Sequence, residues 1–213
     1  MTAMLELSGV RIALGPRVLI PTLDLAVEPG EVVTIMGPSG SGKSTLLAWL
    51  GGFLDRAFSA EGEARIAGAS LAGLPPERRR LGILFQDDLL FPHLSVGDNI
   101  AFGLREELRG RAARRSAVAQ ALERADLAGY ADRDPATLSG GQRARVALMR
   151  TLVAGPRALL LDEPFGKLDA RLRGEIRSFV FSHARSERLP TLLVTHDEAD
   201  AEAAGGRIVT IGG

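Results

Sequence analysis

Apolar and polar residues alternate at the start of the chain, at Leu5 and Leu7 and again at Leu23, Leu25 and Val27, on either side of a Gly15-Pro16 turn. Alternation of this kind predicts two half-buried antiparallel strands. Glu31 to Met36 is a compact β-branched run ended by Gly37-Pro38, which predicts a buried strand feeding a glycine loop; Ser44 to Trp49 then has helical character. Strand-length apolar runs return at 64–66, 81–85, 158–161, 191–195 and 208–211. From about 88 to 155 the strand runs stop and Ala, Leu, Arg and Glu dominate, with Val118, Leu122, Ala125 and Leu127 spaced for one helix face. The whole predicts an α/β fold: a mostly parallel sheet built from 1–87 and 156–213, an N-terminal antiparallel β subdomain, and an inserted helical subdomain over about 88–155, in a single domain spanning 1–213. In such sheets ligand chemistry gathers at the carboxyl ends of the strands.

Length agrees with one domain carrying an insertion. Lys and Arg total 26 and Asp and Glu total 26, a balance that argues against nucleic acid or an acidic membrane as the main partner. The basic clusters Arg78-Arg79-Arg80 and Arg105 to Arg115 are interleaved with Glu77, Glu106 and Glu107 and read as solvated helical faces, so no nucleic-acid partner is expected. The chain has no cysteine, which excludes disulfides and thiolate metal sites. No apolar run approaches the roughly 18 residues of a spanning helix, and the first ten residues lack the basic start and long apolar stretch of a signal peptide, so the cytoplasm is the expected compartment. Only two of the basic residues are lysines, Lys43 and Lys167, which makes each of them informative.

Residues 37–44, Gly37-Pro38-Ser39-Gly40-Ser41-Gly42-Lys43-Ser44, fit G-x-x-x-x-G-K-S/T between a predicted strand and a predicted helix. Glycines let backbone N–H groups turn inward around a phosphate, and the helix N-terminus adds partial positive charge. Lys43 is then placed to bridge β- and γ-phosphates, and the Ser44 hydroxyl to hold Mg²⁺. The apolar run at 158–161 ends in Asp162 and Glu163. A carboxylate at a strand end beside a phosphate loop suits a Mg²⁺ ligand, which fits Asp162, and Glu163 on the other side of the strand path suits a general base for water. Ser139 and Gln142 form a capping box before a helical stretch from about Arg143 to Leu152, while the Gly140-Gly141 pair strips side chains where a second set of N–H groups could face a phosphate. Gln86 and His196 each follow a predicted strand, Gln86 toward Mg²⁺ and the water, His196 toward a γ-phosphate oxygen. His93 and His183 lack such placement and read as surface or packing residues.

With these residues in their order the sequence resembles the ATP-binding subunit of an ABC transporter. The phosphate loop, Gln86, the LSGGQ signature at 138–142, the LLLDEP strand, Leu168-Asp169 and His196 carry the resemblance across nearly the whole chain. It implies a P-loop NTPase core, an ATPase with ATP and Mg²⁺ as cofactors, and Lys43, Gln86, Glu163 and His196 as its catalytic residues. Nucleotide is implied at residues 37–45, including Thr45, with Ser139, Gly140, Gly141 and Gln142 of a second copy completing the site and Asp169 at the seam of a head-to-tail homodimer. Ser44, Gln86 and Asp162 are the implied Mg²⁺ ligands. The stretch 84–104 is similar to the importer branch, which implies transmembrane permease subunits, indirectly a solute-binding protein, and a peripheral position on the inner face of the cell membrane. The expected function is to power a binding-protein-dependent importer of a small solute, with a thiamine-like solute as the lead; an exporter with separate membrane chains, or a non-transport ABC ATPase, is the alternative. Three features depart from the family pattern. Leu14 stands where an aromatic residue usually stacks on adenine, Lys167 sits in the seam loop where alanine is more usual, and the sequence ends after the run at 208–211, so a C-terminal regulatory domain is not expected.

Overall fold

The computed structural model describes residues 4–212. In chain order the elements are β1 (Leu5–Leu14), β2 (Arg17–Val27), β3 (Val32–Met36), α1 (Lys43–Gly51), β4 (Phe58–Ile66), β5 (Ala69–Ser70), α2 (Pro76–Arg79), β6 (Leu81–Leu84), α3 (Val96–Phe102), α4 (Arg111–Arg124), α5 (Gly140–Val153), β7 (Ala158–Asp162), α6 (Ala170–Ser186), β8 (Thr191–Val194), α7 (Glu198–Ala204) and β9 (Ile208–Thr210). They divide into two compact units: Met1–Ile83 with Arg157–Glu163 and Arg177–Gly213, and Leu84–Pro156 with Pro164–Ile176.

The first unit holds both sheets. β1 pairs antiparallel with β2, Leu7 opposite Leu25 and Leu5 opposite Val27, and with β4 on its other side, giving the order β2-β1-β4-β5. The predicted alternation is realised: Leu23, Leu25 and Val27 point inward while Asp24 and Ala26 are exposed. The second sheet has the order β6-β7-β8-β3-β9, with β3 parallel to β8 and β9, and β7 parallel to β8. This is the α/β class read from the sequence. All of β8 and the first four residues of β7 are buried, as unbroken apolar runs demand when a sheet is covered on both faces. Leu46, Leu47 and Leu50 of α1 join residues of both sheets in one core, where each fully buried Leu or Ile contributes roughly 1.5–3 kcal/mol. Arg79, within a cluster read as a solvated face, instead turns its guanidinium onto the end of α1, donating to the carbonyls of Trp49 and Leu50, both at 2.7 Å.

Glu31 and Arg207 tie the start of β3 to the approach to β9. Arg207 Nε donates to Glu31 Oε1 at 2.7 Å, and the same guanidinium reaches the carbonyl of Ala26. The Arg207 bond holds the Glu31 carboxyl below its ordinary value. A lowered carboxyl pKa contributes stability that is present above the unfolded value, about 4.3, and is lost as pH falls through the folded one. Glu31→Gln should therefore lower the melting temperature by about 1–3 °C at pH 7, with the difference from wild type shrinking below pH 4 in a thermal melt series.

The second unit is helical. α3 packs on α4 and α5. Ser95 caps α3, its Oγ accepting from the Asp98 N–H at 3.1 Å. The buried Asn99 side chain accepts from the Phe91 N–H at 2.8 Å and donates to the carbonyls of Phe91 and Ser95, fixing the preceding turn. α4 buries Val118, Ala121 and Leu122. Ala125 and Leu127 are buried as well but lie past its end, where Asp126 takes the left-handed conformation with φ 56°, so the predicted single helix face is interrupted there. Among the described residues no helix is long and apolar enough to cross a membrane.

Candidate functional site

Strand register levels three strand ends in the first unit. Ile35 lies opposite Val194, and Val194 opposite Asp162, so the loop after β3, Glu163 after β7 and Thr195-His196 after β8 leave the sheet at the same edge. That is the edge at which parallel α/β sheets bind ligands.

The loop at 37–42 is built around backbone that only glycine accommodates. Gly37 has φ 153°, and a Cβ there would lie 2.2 Å from the Ile211 carbonyl oxygen; Gly42, at φ 97°, turns the chain into α1. No side chain caps the first turn of α1 and no acid sits in it, which leaves its N–H groups and its positive dipole end turned toward the loop. Lys43 is buried, and its Nζ donates to the carbonyls of Gly37 at 2.8 Å and Pro38 at 2.9 Å. The Ser41 hydroxyl is buried without a hydrogen-bond partner, a cost the fold bears when the group is kept for something else. Ser44 Oγ donates to Asp162 Oδ1 at 2.9 Å, joining two residues that the sequence separates by 118 positions. Thr45 follows, half-buried in α1. Arg17 reaches the loop as well, its Nη2 donating to the Gly40 carbonyl at 3.4 Å.

Burial pushes the Asp162 carboxyl above its usual range, with the charge of Glu163 adding to the effect and the Ser44 bond and Lys43 opposing it. A carboxylate so placed gains from a cation beside it. Among the described residues no group of three or more His, Cys, Asp or Glu gathers as a metal cage. A hydroxyl and one carboxylate are a donor set that fits Mg²⁺, which takes one or two protein oxygens and fills its shell with phosphate and water.

Glu163 holds a left-handed backbone conformation, φ 47°, at a cost of about 1–3 kcal/mol for a residue with a Cβ. Its N–H donates to the Val194 carbonyl at 2.9 Å, which keeps it there. His196 Nδ1 lies 2.9 Å from Glu163 Oε1. A carboxylate can only accept, so Nδ1 carries the proton, and the sequence reading of His196 as a phosphate contact omitted this partner. Support for the His196 turn was also missed: Thr195 Oγ1 donates to the buried Asp200 at 3.0 Å, accepts from the Asp197 N–H at 3.1 Å, and Asp200 Oδ1 lies 2.9 Å from Arg177 Nε. An acid four residues after a strand-end histidine is the only trace of it in the sequence.

The first unit thus gathers 37–44, Asp162, Glu163 and His196. Gln86, Ser139 to Gln142 and Asp169 belong to the second. Gln86 is exposed just past β6. Ser139 and Gln142 form the capping box in full, the Ser139 N–H donating to Gln142 Oε1 at 2.9 Å. Gly141 has a packing role beyond the predicted one, since a Cβ there would meet Leu172 Cδ1 at 2.4 Å, whereas at Gly140 the space is ordinary. Asp169 accepts from the Leu172 N–H at 3.0 Å and so caps α6. His93 is exposed, and His183 packs on Phe179. Leu14 ends β1 with 41% of its surface exposed.

The sequence profile of the family described as ABC transporter matches residues 20–166, a span that runs from β2 through the loop, Gln86 and the signature to Gly166. The chain belongs to the ABC transporter family. Within it, the chain is 50% identical over 200 residues to the uncharacterized ABC transporter ATP-binding protein YnjD of Escherichia coli, covering 94% of this chain and 92% of that one. It is 40% identical over 208 residues to the putative 2-aminoethylphosphonate import ATP-binding protein PhnT of Salmonella typhi, covering 97% of this chain and 56% of that one. The sulfate/thiosulfate import ATP-binding protein CysA of Mycobacterium bovis is 42% identical over 197 residues, with 92% of this chain and 55% of that one aligned. The chain therefore spans about half the length of these two family members and nearly all of the first.

Proposed function

We propose that the chain is the ATP-binding and ATP-hydrolysing subunit that powers an ABC importer of a small solute, with 1–213 acting as one ATP-binding domain and 88–155 as its helical insertion. The observation that carries this reading is the loop at 37–44 with its buried lysine, its orphaned Ser41 hydroxyl and its Ser44 bond to Asp162. Family membership and the import names of two relatives support it.

In this reading Gly37 to Thr45 hold the phosphates through backbone N–H groups and the Ser41 hydroxyl. Lys43 exchanges the carbonyls of Gly37 and Pro38 for β- and γ-phosphate oxygens. Ser44 and Asp162 hold Mg²⁺, which when bound neutralises phosphate charge, and Gln86 is assigned to the metal and water with them. Glu163 takes a proton from the attacking water on Oε2, because Oε1 is engaged by His196; His196 orients that carboxylate and, when the ring carries a proton on both nitrogens, donates from Nε2 to a γ-phosphate oxygen. A second copy of the chain supplies Ser139, Gly140, Gly141 and Gln142, with Asp169 at the seam, in a head-to-tail homodimer. Permease subunits hold the dimer at the inner face of the membrane and connect it to a solute-binding protein.

Permease contact is assigned to the stretch from Gln86 to Ile100. Within it Phe91 packs on Phe102, ring centroids 4.6 Å apart, and Leu90 is half-buried, whereas Leu89 exposes 58% of its surface. Leu89 is thus the apolar side chain open to another protein's helix. Leu89→Arg should leave the subunit folded and hydrolysing ATP while removing a polytopic membrane protein from the detergent-solubilised complex purified through a tag on this chain. Co-purification unchanged by Leu89→Arg would move the contact elsewhere; a wild-type subunit that brings down no membrane protein would contradict the transport reading.

A further inference from the structure

Lys167 is one of two lysines in the chain, and the other belongs to the loop at 37–44. It stands between two anchors of the second unit. Phe165, fully buried, accepts through its carbonyl from Arg173 Nε at 3.1 Å, and Asp169 caps α6. The segment is therefore built at both ends without Lys167, whose ammonium pairs instead with the carboxylate of Asp87, 80 positions earlier and next to Gln86. The following residue makes a second charged tie. Asp88 Oδ2 lies 3.5 Å from Arg143 Nε, and Arg143 Nη1 donates to the Leu138 carbonyl at 2.7 Å, one residue before Ser139. Arg150 fixes the backbone of the same stretch, donating to the carbonyls of Asp88 at 3.0 Å and Leu89 at 2.9 Å. Asp87, Asp88, Lys167, Arg143, Gly140 and Leu168 line one groove of about 440 Å³.

Lys167 and Asp87 keep 55% and 61% of their side chains exposed. A pair that open to water adds little to folding stability and is screened by salt. Its geometry does something else: it spans two segments that are each held separately, one carrying Gln86, assigned to the metal and water, and the other Asp169, assigned to the dimer seam. We propose that Asp87 and Lys167 form a yoke, positioning residues that make the loop after Gln86 and the segment bearing Asp169 move together, with Asp88 and Arg143 fastening the same loop to the residue before Ser139. A displacement of residues 86–89 then reaches Asp169 and Ser139 at once, the behaviour of a single two-state element. The roles of Asp169 and Ser139 rest on the function proposed above; the physical linkage does not.

Hydrogen exchange read by mass spectrometry on the full chain tests the linkage without reference to turnover. Asp87→Asn should raise exchange in 166–169 as well as in 86–90, and Lys167→Ala should raise it in 86–90 as well as in its own segment, because coupling between two sites is reciprocal. The charge-reversed pair, Asp87→Lys with Lys167→Asp, should return both segments toward wild type. Substitutions that affect only their own segment, or a reversed pair as labile as the singles, would overturn the yoke. In ATPase assays each single substitution should lower kcat about two- to fivefold with KM for ATP unchanged, and the reversed pair should restore kcat. A raised KM with unchanged kcat would mean that Lys167 touches nucleotide and would also overturn it. A wild-type chain without ATPase activity would defeat the proposed function, while the exchange data would still decide the yoke.

Discussion

Replacing Lys43 with alanine is expected to lower ATP hydrolysis about 100- to 1,000-fold, the loss typical when one preorganised charge donor is taken from developing negative charge. The side chain is buried beside the carboxyl end of β3, and its ammonium donates to the carbonyls of Gly37 and Pro38. Two carbonyls are modest partners for a full charge, and phosphate oxygens are better ones, so the ion is poised to transfer from the loop to its ligand. The fold loses little, because α1 is anchored by Leu46, Leu47 and Leu50 and not by Lys43. Two measurements check this. The mutant should melt within a few degrees of wild type, and it should lose the rise in melting temperature that millimolar ATP gives wild type, since only a bound ligand stabilises by mass action. Near-normal turnover by the purified mutant would remove the loop at 37–44 from the active site.

Glu163→Gln should lower turnover by about 10²–10⁴, the range for a lost general base, while leaving nucleotide binding in place. Glutamine keeps the shape and the left-handed backbone of Glu163 but cannot take the proton of water, so the chain should hold ATP and remain a stable dimer on size-exclusion chromatography with ATP and Mg²⁺. A monomer that hydrolyses normally would contradict both the base and the dimer. Glu163→Gly separates the chemistry from the backbone: at φ 47° glycine relieves strain, so this variant should be inactive without being destabilised by the loss of a charged side chain.

Much of the first unit was legible from periodicity. Leu23, Leu25 and Val27 alternate because one face of β2 is buried, and the runs at 158–161 and 191–195 are unbroken because both faces of the second sheet are covered. The short elements α2 and β5 leave no periodic trace, and in α6 the successive Phe179, Val180 and Phe181 blur the helical spacing, only Val180 and Phe181 of the three being buried. In α4 the apolar spacing runs on past Arg124, and nothing in the sequence announces the left-handed Asp126 that ends the helix.

The candidate site was legible wherever a chemical group ends or follows a strand, as with Asp162, Glu163 and His196, or opens a helix after a glycine loop, as with Lys43. What joins those groups was not. The His196 bond to Glu163 spans 33 positions and the Lys167 bond to Asp87 spans 80, and such pairings are products of strand register and loop packing that a linear pattern does not carry. Gly141 shows the converse limit: a motif glycine read for its ligand also answers to the packing of Leu172.

The central claim is that this chain hydrolyses ATP at the loop of 37–44 with the Ser44 and Asp162 oxygens holding Mg²⁺. Its most direct test is inorganic phosphate released from ATP by the purified wild-type chain, measured with Mg²⁺ and with the metal chelated, beside Lys43→Ala. The account predicts release that saturates with ATP, requires Mg²⁺ and stands about 100-fold or more above the mutant. Release equal to that of the mutant, or release that persists without Mg²⁺, would contradict it.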